Sequence, residues 1–179
     1  MKNLFLGRNP VRSGAGKIEG RQVVLDGEEF YRISNCDRLR PFFLSIVSSA
    51  DHWMFISSNG ALTAGRRNPD FALFPYYTDD KIHDAVEITG PKSILIVGKA
   101  GKNHLWEPFS ECGGGIYRVR RNLYKNFRGN KIIFEEINDD LGLTFRCGWA
   151  SSEQFGWVRK SSLASSAAGT GTDRSLSSS

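Results

Sequence analysis

Apolar and polar residues alternate with a period of two along most of this chain, and turn dipeptides interrupt the alternation at short intervals. That is the pattern of antiparallel strands with one buried and one wet face. Val23-Val24-Leu25 lead into Asp26-Gly27, and Glu28-Glu29-Phe30-Tyr31-Arg32-Ile33 lead out of it. Both central positions of a type I′ turn need positive φ, which Asp-Gly accepts, so a hairpin is expected here. His52-Trp53-Met54-Phe55-Ile56-Ser57, Asn59-Gly60 and Ala61-Leu62-Thr63 repeat the arrangement. A third hairpin is expected from Lys131-Ile132-Ile133-Phe134-Glu135-Glu136-Ile137 through Asn138-Asp139-Asp140 into residues 143–149, whose alternation sets Leu143, Phe145, Cys147 and Trp149 on one face and Thr144 and Arg146 on the other. Residues 94–98 and 115–120 read as further strands. Roughly eight short strands with Gly, Asn and Asp punctuation and almost no helix signal predict an all-β, antiparallel β-sandwich.

The pattern fails at the C-terminal end. Fifteen of the nineteen residues from Ser161 to Ser179 are Ser, Ala, Gly or Thr, too little apolar surface to offset the entropy of ordering. One sandwich domain is therefore expected over residues 1–163, followed by a low-complexity disordered tail over 164–179. No apolar run approaches the roughly 20 residues of a membrane-spanning helix, and the N-terminus has no apolar stretch of secretion-signal length. A soluble, cytoplasmic chain is expected.

Charge changes the picture little. Twenty-four Lys and Arg against nineteen Asp and Glu give +5, concentrated in residues 38–67 and 118–131. The second segment, Tyr117-Arg118-Val119-Arg120-Arg121-Asn122-Leu123-Tyr124-Lys125-Asn126-Phe127-Arg128, interleaves cations with aromatics and offers the elements of a nucleic-acid stripe. An exposed strand face beside a basic loop accounts for it equally, and no nucleic-acid module accompanies it. Cys36, Cys112 and Cys147 are odd in number and lack a C-x-x-C spacing, which predicts free structural thiols in a reducing compartment.

Candidate chemistry is sparse. His52, His83 and His104 are too far apart for a short metal-ligand motif. Gly98-Lys99-Ala100-Gly101-Lys102-Asn103 lacks the first Gly and the Ser/Thr of a phosphate loop, and no G-x-S-x-G elbow exists. Neither a metal nor a cofactor is expected. The adjacent Glu135 and Glu136 must point to opposite faces of a strand, so they cannot converge on one glycosidic bond as a carboxylate pair must. The aromatic richness nevertheless suggests sugar stacking. Trp106, in His104-Leu105-Trp106-Glu107-Pro108, is expected on an exposed loop, with Tyr76 and Tyr77 as further platforms and Asp79 and Asp80 beside them.

A resemblance adds to this. Phe30-Tyr31-Arg32-Ile33-Ser34-Asn35, Arg40-Pro41-Phe42, the stretch Phe55-Ile56-Ser57-Ser58-Asn59-Gly60-Ala61-Leu62-Thr63-Ala64-Gly65-Arg66-Arg67-Asn68-Pro69-Asp70 and its continuation through Ala72-Leu73-Phe74-Pro75-Tyr76-Tyr77-Thr78-Asp79-Asp80 follow one another as comparable segments do at the start of cellobiose phosphorylase-like enzymes of glycoside hydrolase family 94. Residues 130–136, 143–145 and 155–159 resemble the succeeding strands, so the similarity spans about residues 28 to 163. The wording Thr63-Ala64-Gly65-Arg66 departs from that pattern and suggests an outlying branch. The resemblance implies a supersandwich-like N-terminal domain, here truncated, that does not itself catalyse and instead supports an (α/α)6 barrel carrying the catalytic acid and phosphate site. It further implies Arg66, Asp79 and Asp80 near the sugar cleft, carbohydrate or the parent's helical barrel as partner, and a dimer contact as a further role. Such a sandwich without its barrel should expose an apolar patch where the barrel sits. A free-standing carbohydrate-binding sandwich is the alternative, and a basic nucleic-acid-binding β-domain a third reading.

Overall fold

Strands carry nearly all the regular structure, and every strand pair is antiparallel. The computed structural model describes residues 5–6, 9–10, 16–48, 50–74, 76, 78, 81–90, 92–112 and 115–165. In chain order the strands are β1 (Phe5–Leu6), β2 (Asn9–Pro10), β3 (Glu19–Leu25), β4 (Glu28–Ser34), β5 (Phe43–Ile46), β6 (His52–Ser57), β7 (Leu62–Arg66), β8 (Leu95–Lys99), β9 (Lys102–Trp106), β10 (Val119–Asn126), β11 (Lys131–Asn138), β12 (Leu143–Ser152) and β13 (Gly156–Ser165). Single 3-10 turns at Cys36–Arg38, Pro69–Phe71 and Ile82–Ala85 are the helical elements among the described residues.

One layer is a six-stranded sheet in the order β13-β12-β11-β10-β4-β3. Facing it are the three-stranded sheet β5-β6-β7 and the two-stranded sheet β8-β9. The core follows from alternation. Ile46, Met54, Ile56, Leu62 and Ala64 point inward from the small sheet and meet Leu123, Ile132 and Phe134 from the large one. A second cluster joins Trp106, with Leu95 and Val97 packed beside it, to Leu141, Phe145 and Cys147. Burying each large aliphatic side chain contributes roughly 1.5–3 kcal/mol, and Phe109 packs against both clusters, joining them.

The expected hairpins form. Asp26 (φ 51°) and Gly27 (φ 78°) both adopt positive φ between β3 and β4. Between β6 and β7 only Gly60 of the Asn59-Gly60 pair does so, at 96°, because Ser57 and Ala61 close a longer loop there through a 2.7 Å backbone hydrogen bond. The third hairpin pairs β11 with β12 from Asn138↔Leu143 to Lys131↔Ala150, and Phe145 and Cys147 are buried as the alternation predicts.

Three expectations need correction. Residues 98–106 form a tight hairpin where an exposed loop was expected around Trp106, its turn made by Ala100 (φ 50°) and Gly101 (φ 73°). The strand expected at 115–120 begins only at Val119 and runs on to Asn126. Residues 161–165, tail-like by composition, complete β13, because its backbone pairs with β12 from Leu143↔Ser165 to Cys147↔Ser161 and Leu163 packs on the second cluster. Ala164 and Ser165 thus belong to the sheet. The rest of the expected tail, 166–179, lies outside the described residues. No described helix is long and apolar enough to cross a membrane.

Candidate functional site

Two buried carboxylates organise the polar interior, and they sit back to back on β11. Glu136 faces the core. Its Oε1 accepts a hydrogen bond from Trp106 Nε1 at 2.8 Å, and its Oε2 accepts from Phe109 N at 2.8 Å and from Arg121 Nε at 2.7 Å. Arg121 also donates through Nη2 to the Ser110 carbonyl at 2.9 Å. The segment after β9 is therefore tied to the sheet at three points. Phe109 needs that restraint, since its φ of 66° is costly for a residue with a Cβ. From the other side Glu87 accepts from Ser110 Oγ (3.3 Å) and Glu111 N (3.0 Å) and pairs with Lys92. The hydrogen bond from Lys92, and then that from the Glu111 amide, hold the Glu87 carboxyl below its usual range.

Glu135 faces the other way, as alternation requires. Oε1 accepts from Asn122 Nδ2 (2.7 Å) and the Tyr124 hydroxyl (2.8 Å), and Oε2 accepts from Arg146 Nε (2.6 Å). Burial works to raise its pKa, but the hydrogen bonds from Asn122, Arg146 and Tyr124 together with the charge of Arg146 outweigh burial, and the net shift is downward. Burial first, and then the Glu135 charge, push the Tyr124 hydroxyl up to about 12. All four oxygens of the two glutamates are engaged. Neither is a free general base, and they serve opposite faces.

Of the six residues singled out from the sequence, the structure relocates the main one. Trp106 ends β9 and is 2 % exposed, with its ring edge-on to Phe145 at 6.5 Å. It is a core residue rather than one on an exposed loop, because the hairpin turns it inward and Glu136 accepts its indole N–H. It forms one wall of a cleft of about 270 Å³ with Leu105, Ile116, Tyr117 and Val119. Arg121 and Glu136, at that cleft, are already bonded to each other. Tyr77, Asp79 and Asp80 lie outside the described residues. Arg66 is exposed at the end of β7 opposite His52, one position from Gly65 and so on the opposite face from it.

Tyr76 is 47 % exposed and stands edge-on to Trp53 at 5.9 Å. Trp53 in turn lies 5.6 Å from Phe55, and Phe55 lies 5.3 Å from Phe43. The outer face of the small sheet thus carries an aromatic row, Tyr76–Trp53–Phe55–Phe43. Gly65, directly opposite Trp53, makes room for it: a Cβ there would overlap the indole and come within 2.7 Å of the Phe71 carbonyl oxygen. Phe55 and Phe43 were not among the candidates. Their signal was present in the alternation of β6, where Met54 and Ile56 take the core and Trp53 and Phe55 take the outside.

A second apolar surface lies on the β8–β9 hairpin. Leu95, Val97 and Trp106 face the core, while Ile96 and Leu105, directly opposite one another, are 75 % and 64 % exposed, and Ile94 is 66 % exposed. The basic stripe proves largely neutralised: Arg118 pairs with Asp140, Arg120 with Asp139 and Arg121 with Glu136. All three thiols are free, Cys36 and Cys147 buried and Cys112 exposed. No metal-binding cluster of His, Cys, Asp and Glu exists among the described residues. No family model and no curated protein matches the chain.

Proposed function

We propose that this chain is a non-catalytic, cytoplasmic β-sandwich of a carbohydrate-active protein of the glycoside phosphorylase type, and that it supports a helical catalytic body through the outer face of the β8–β9 hairpin. The observation that carries this reading is the exposed Ile94, Ile96 and Leu105 group on a sheet whose other face is already packed. Single exposed aliphatics are ordinary on protein surfaces, whereas contiguous ones mark contact surfaces. Covering Ile96 and Leu105 would contribute roughly 1.5–3 kcal/mol each, enough to orient one body on another. Catalysis would belong to the partner, since both buried glutamates here are fully engaged. The test is fluorescence of a hydrophobic dye with the purified chain. Wild type should bind the dye, and Ile96→Ser/Leu105→Ser should lose most of that signal with an unchanged unfolding midpoint. Equal dye signal from the two proteins would reject the hairpin face.

The aromatic row favours a second reading, carbohydrate binding by the sandwich itself. Four aromatic rings in a row, tilted against one another by 34–79°, offer apolar surface to successive sugar rings of a β-linked glucan. Cellotetraose should then quench tryptophan fluorescence in a saturable way that is insensitive to salt, because no phosphate is neutralised. Tyr76→Ala should weaken binding roughly tenfold, equivalent to about 1.4 kcal/mol. Identical titrations of wild type and Tyr76→Ala would remove the row from consideration.

A further inference from the structure

The outward face of the six-stranded sheet carries one cation from each strand: Arg21, Arg32, Arg120, Lys131, Arg146 and Lys160 share the face of Glu135 by register. Three of them have carboxylate partners. Arg120 pairs with Asp139 at 2.9 Å, Lys131 with Glu28 at 2.5 Å and Arg146 with Glu135 at 2.6 Å. Lys160 has none among the described residues and stands alone on the far edge strand.

Arg21 and Arg32 break the rule in a more informative way. They occupy directly opposite positions on β3 and β4, where like charges repel and destabilise the pair. Arg32 is half-buried, and its Nε is sealed from water with no hydrogen-bond partner among the described residues. Leaving a buried donor unsatisfied is costly, and more so when it is charged. The neighbours do not relieve it. Across from Arg32 on β10 stands Tyr124, whose hydroxyl donates to Glu135. Glu19, the nearest acid along β3, forms no ion pair with either arginine among the described residues. Elsewhere on this face the chain supplies a carboxylate for an arginine, and here it supplies a second arginine.

We propose that Arg21 and Arg32 form a binding site for a phosphate group, inorganic or carried as a small phosphate monoester. Two guanidinium forks on adjacent strands are spaced at about 5 Å at Cβ, close enough to grip one tetrahedral dianion, and the planar fork matches phosphate oxygens bidentately. The bound anion accepts from both guanidinium groups and turns the cross-strand repulsion into a shared attraction, and a turn of the Arg32 side chain toward it gives the orphaned Nε an acceptor. This site is independent of the docking face and of the aromatic row.

Thermal unfolding is followed in increasing inorganic phosphate, with chloride at matched ionic strength as reference. Phosphate stabilises proteins generally through exclusion from their surface, so the informative quantity is the difference between variants. Wild type should show a saturable rise in midpoint, whereas R21Q and R32Q should retain only the shallow general rise, with affinity weakened roughly tenfold or more. Arg21 is exposed on an edge strand, so R21Q tests the site without threatening the fold. In chloride alone R21Q should be at least as stable as wild type, because it removes the repulsion, and K160Q should keep the full phosphate response. Equal responses in wild type and R21Q, or a marked loss of stability of R21Q in chloride, would overturn the proposal. Methyl phosphate and a short oligonucleotide are then compared: methyl phosphate should reproduce the effect, and a response to the oligonucleotide alone would overturn the assignment to a small phosphate.

Discussion

Glu136→Ala lowers the stability of the fold by about 3–5 kcal/mol, read as a shift in the urea midpoint or as a fall of roughly 6–20 °C in Tm for a domain of this size. Glu136 is 2 % exposed and accepts from three donors on three segments: Trp106 Nε1, Phe109 N and Arg121 Nε. Alanine leaves a nearly buried guanidinium without its counter-charge and two N–H groups without acceptors. It also releases the Phe109 backbone from its positive φ, so the segment linking the two core clusters should loosen with it. Glu136→Gln keeps an oxygen acceptor and removes the charge, and should lose less than Glu136→Ala. A loss below about 1 kcal/mol for the alanine variant would mean that Glu136 does not organise the segment that follows β9.

Stability should fall at both ends of the pH scale, at the acid end through Glu135 on the opposite face of the same strand and at the alkaline end through Tyr124 and Cys36. Glu135 titrates below its usual value of 4.5 in the folded state, so the folded chain holds its carboxylate form more tightly than the unfolded chain does. The corresponding stability is complete above about pH 4.5 and is lost as pH falls through the lower folded value. Glu28 and Glu87 shift the same way, chiefly through hydrogen bonds from Lys131 and Lys92, but they are more exposed and weigh less. Tyr124 behaves oppositely. Its hydroxyl is raised from 10 to about 12, so its contribution is complete below pH 10 and is lost as pH rises toward 12. Cys36, pushed from 9 to about 12 chiefly by burial, adds to that alkaline limb from pH 9 upward. Urea midpoints measured from pH 3 to 11 should trace a plateau with two falling limbs. Tyr124→Phe should flatten the alkaline limb in part, leaving the share of Cys36. A wild-type profile without an acid limb would contradict the engaged state of Glu135.

The strands were legible because their physics is local. Period-two alternation and Asp26-Gly27 are readable within ten residues, and the opposite facing of Glu135 and Glu136 follows from strand geometry alone. The β8–β9 hairpin was harder to see, since Ala100-Gly101 lacks the Asn or Asp that usually announces a type I′ turn, and Pro108 after Trp106 reads as a loop. That one omission moved Trp106 from core to surface. The partners of Glu136 lie 15 to 30 residues away, and no spacing rule connects them. The aromatic row and the Arg21–Arg32 pair likewise depend on which strands meet and in what register. The tail boundary erred by two residues for a related reason: a backbone ladder to β12 does not require apolar side chains.

The measurement that tests the docking face most directly is sedimentation velocity of the purified chain over a wide concentration range, beside Ile96→Ser/Leu105→Ser. If Ile94, Ile96 and Leu105 form a surface meant to be covered, the wild-type chain self-associates as concentration rises and the double variant stays monomeric with the same unfolding midpoint. A wild-type chain that sediments as a monomer throughout, indistinguishable from the variant, would contradict the assignment of this sandwich as a support for another body.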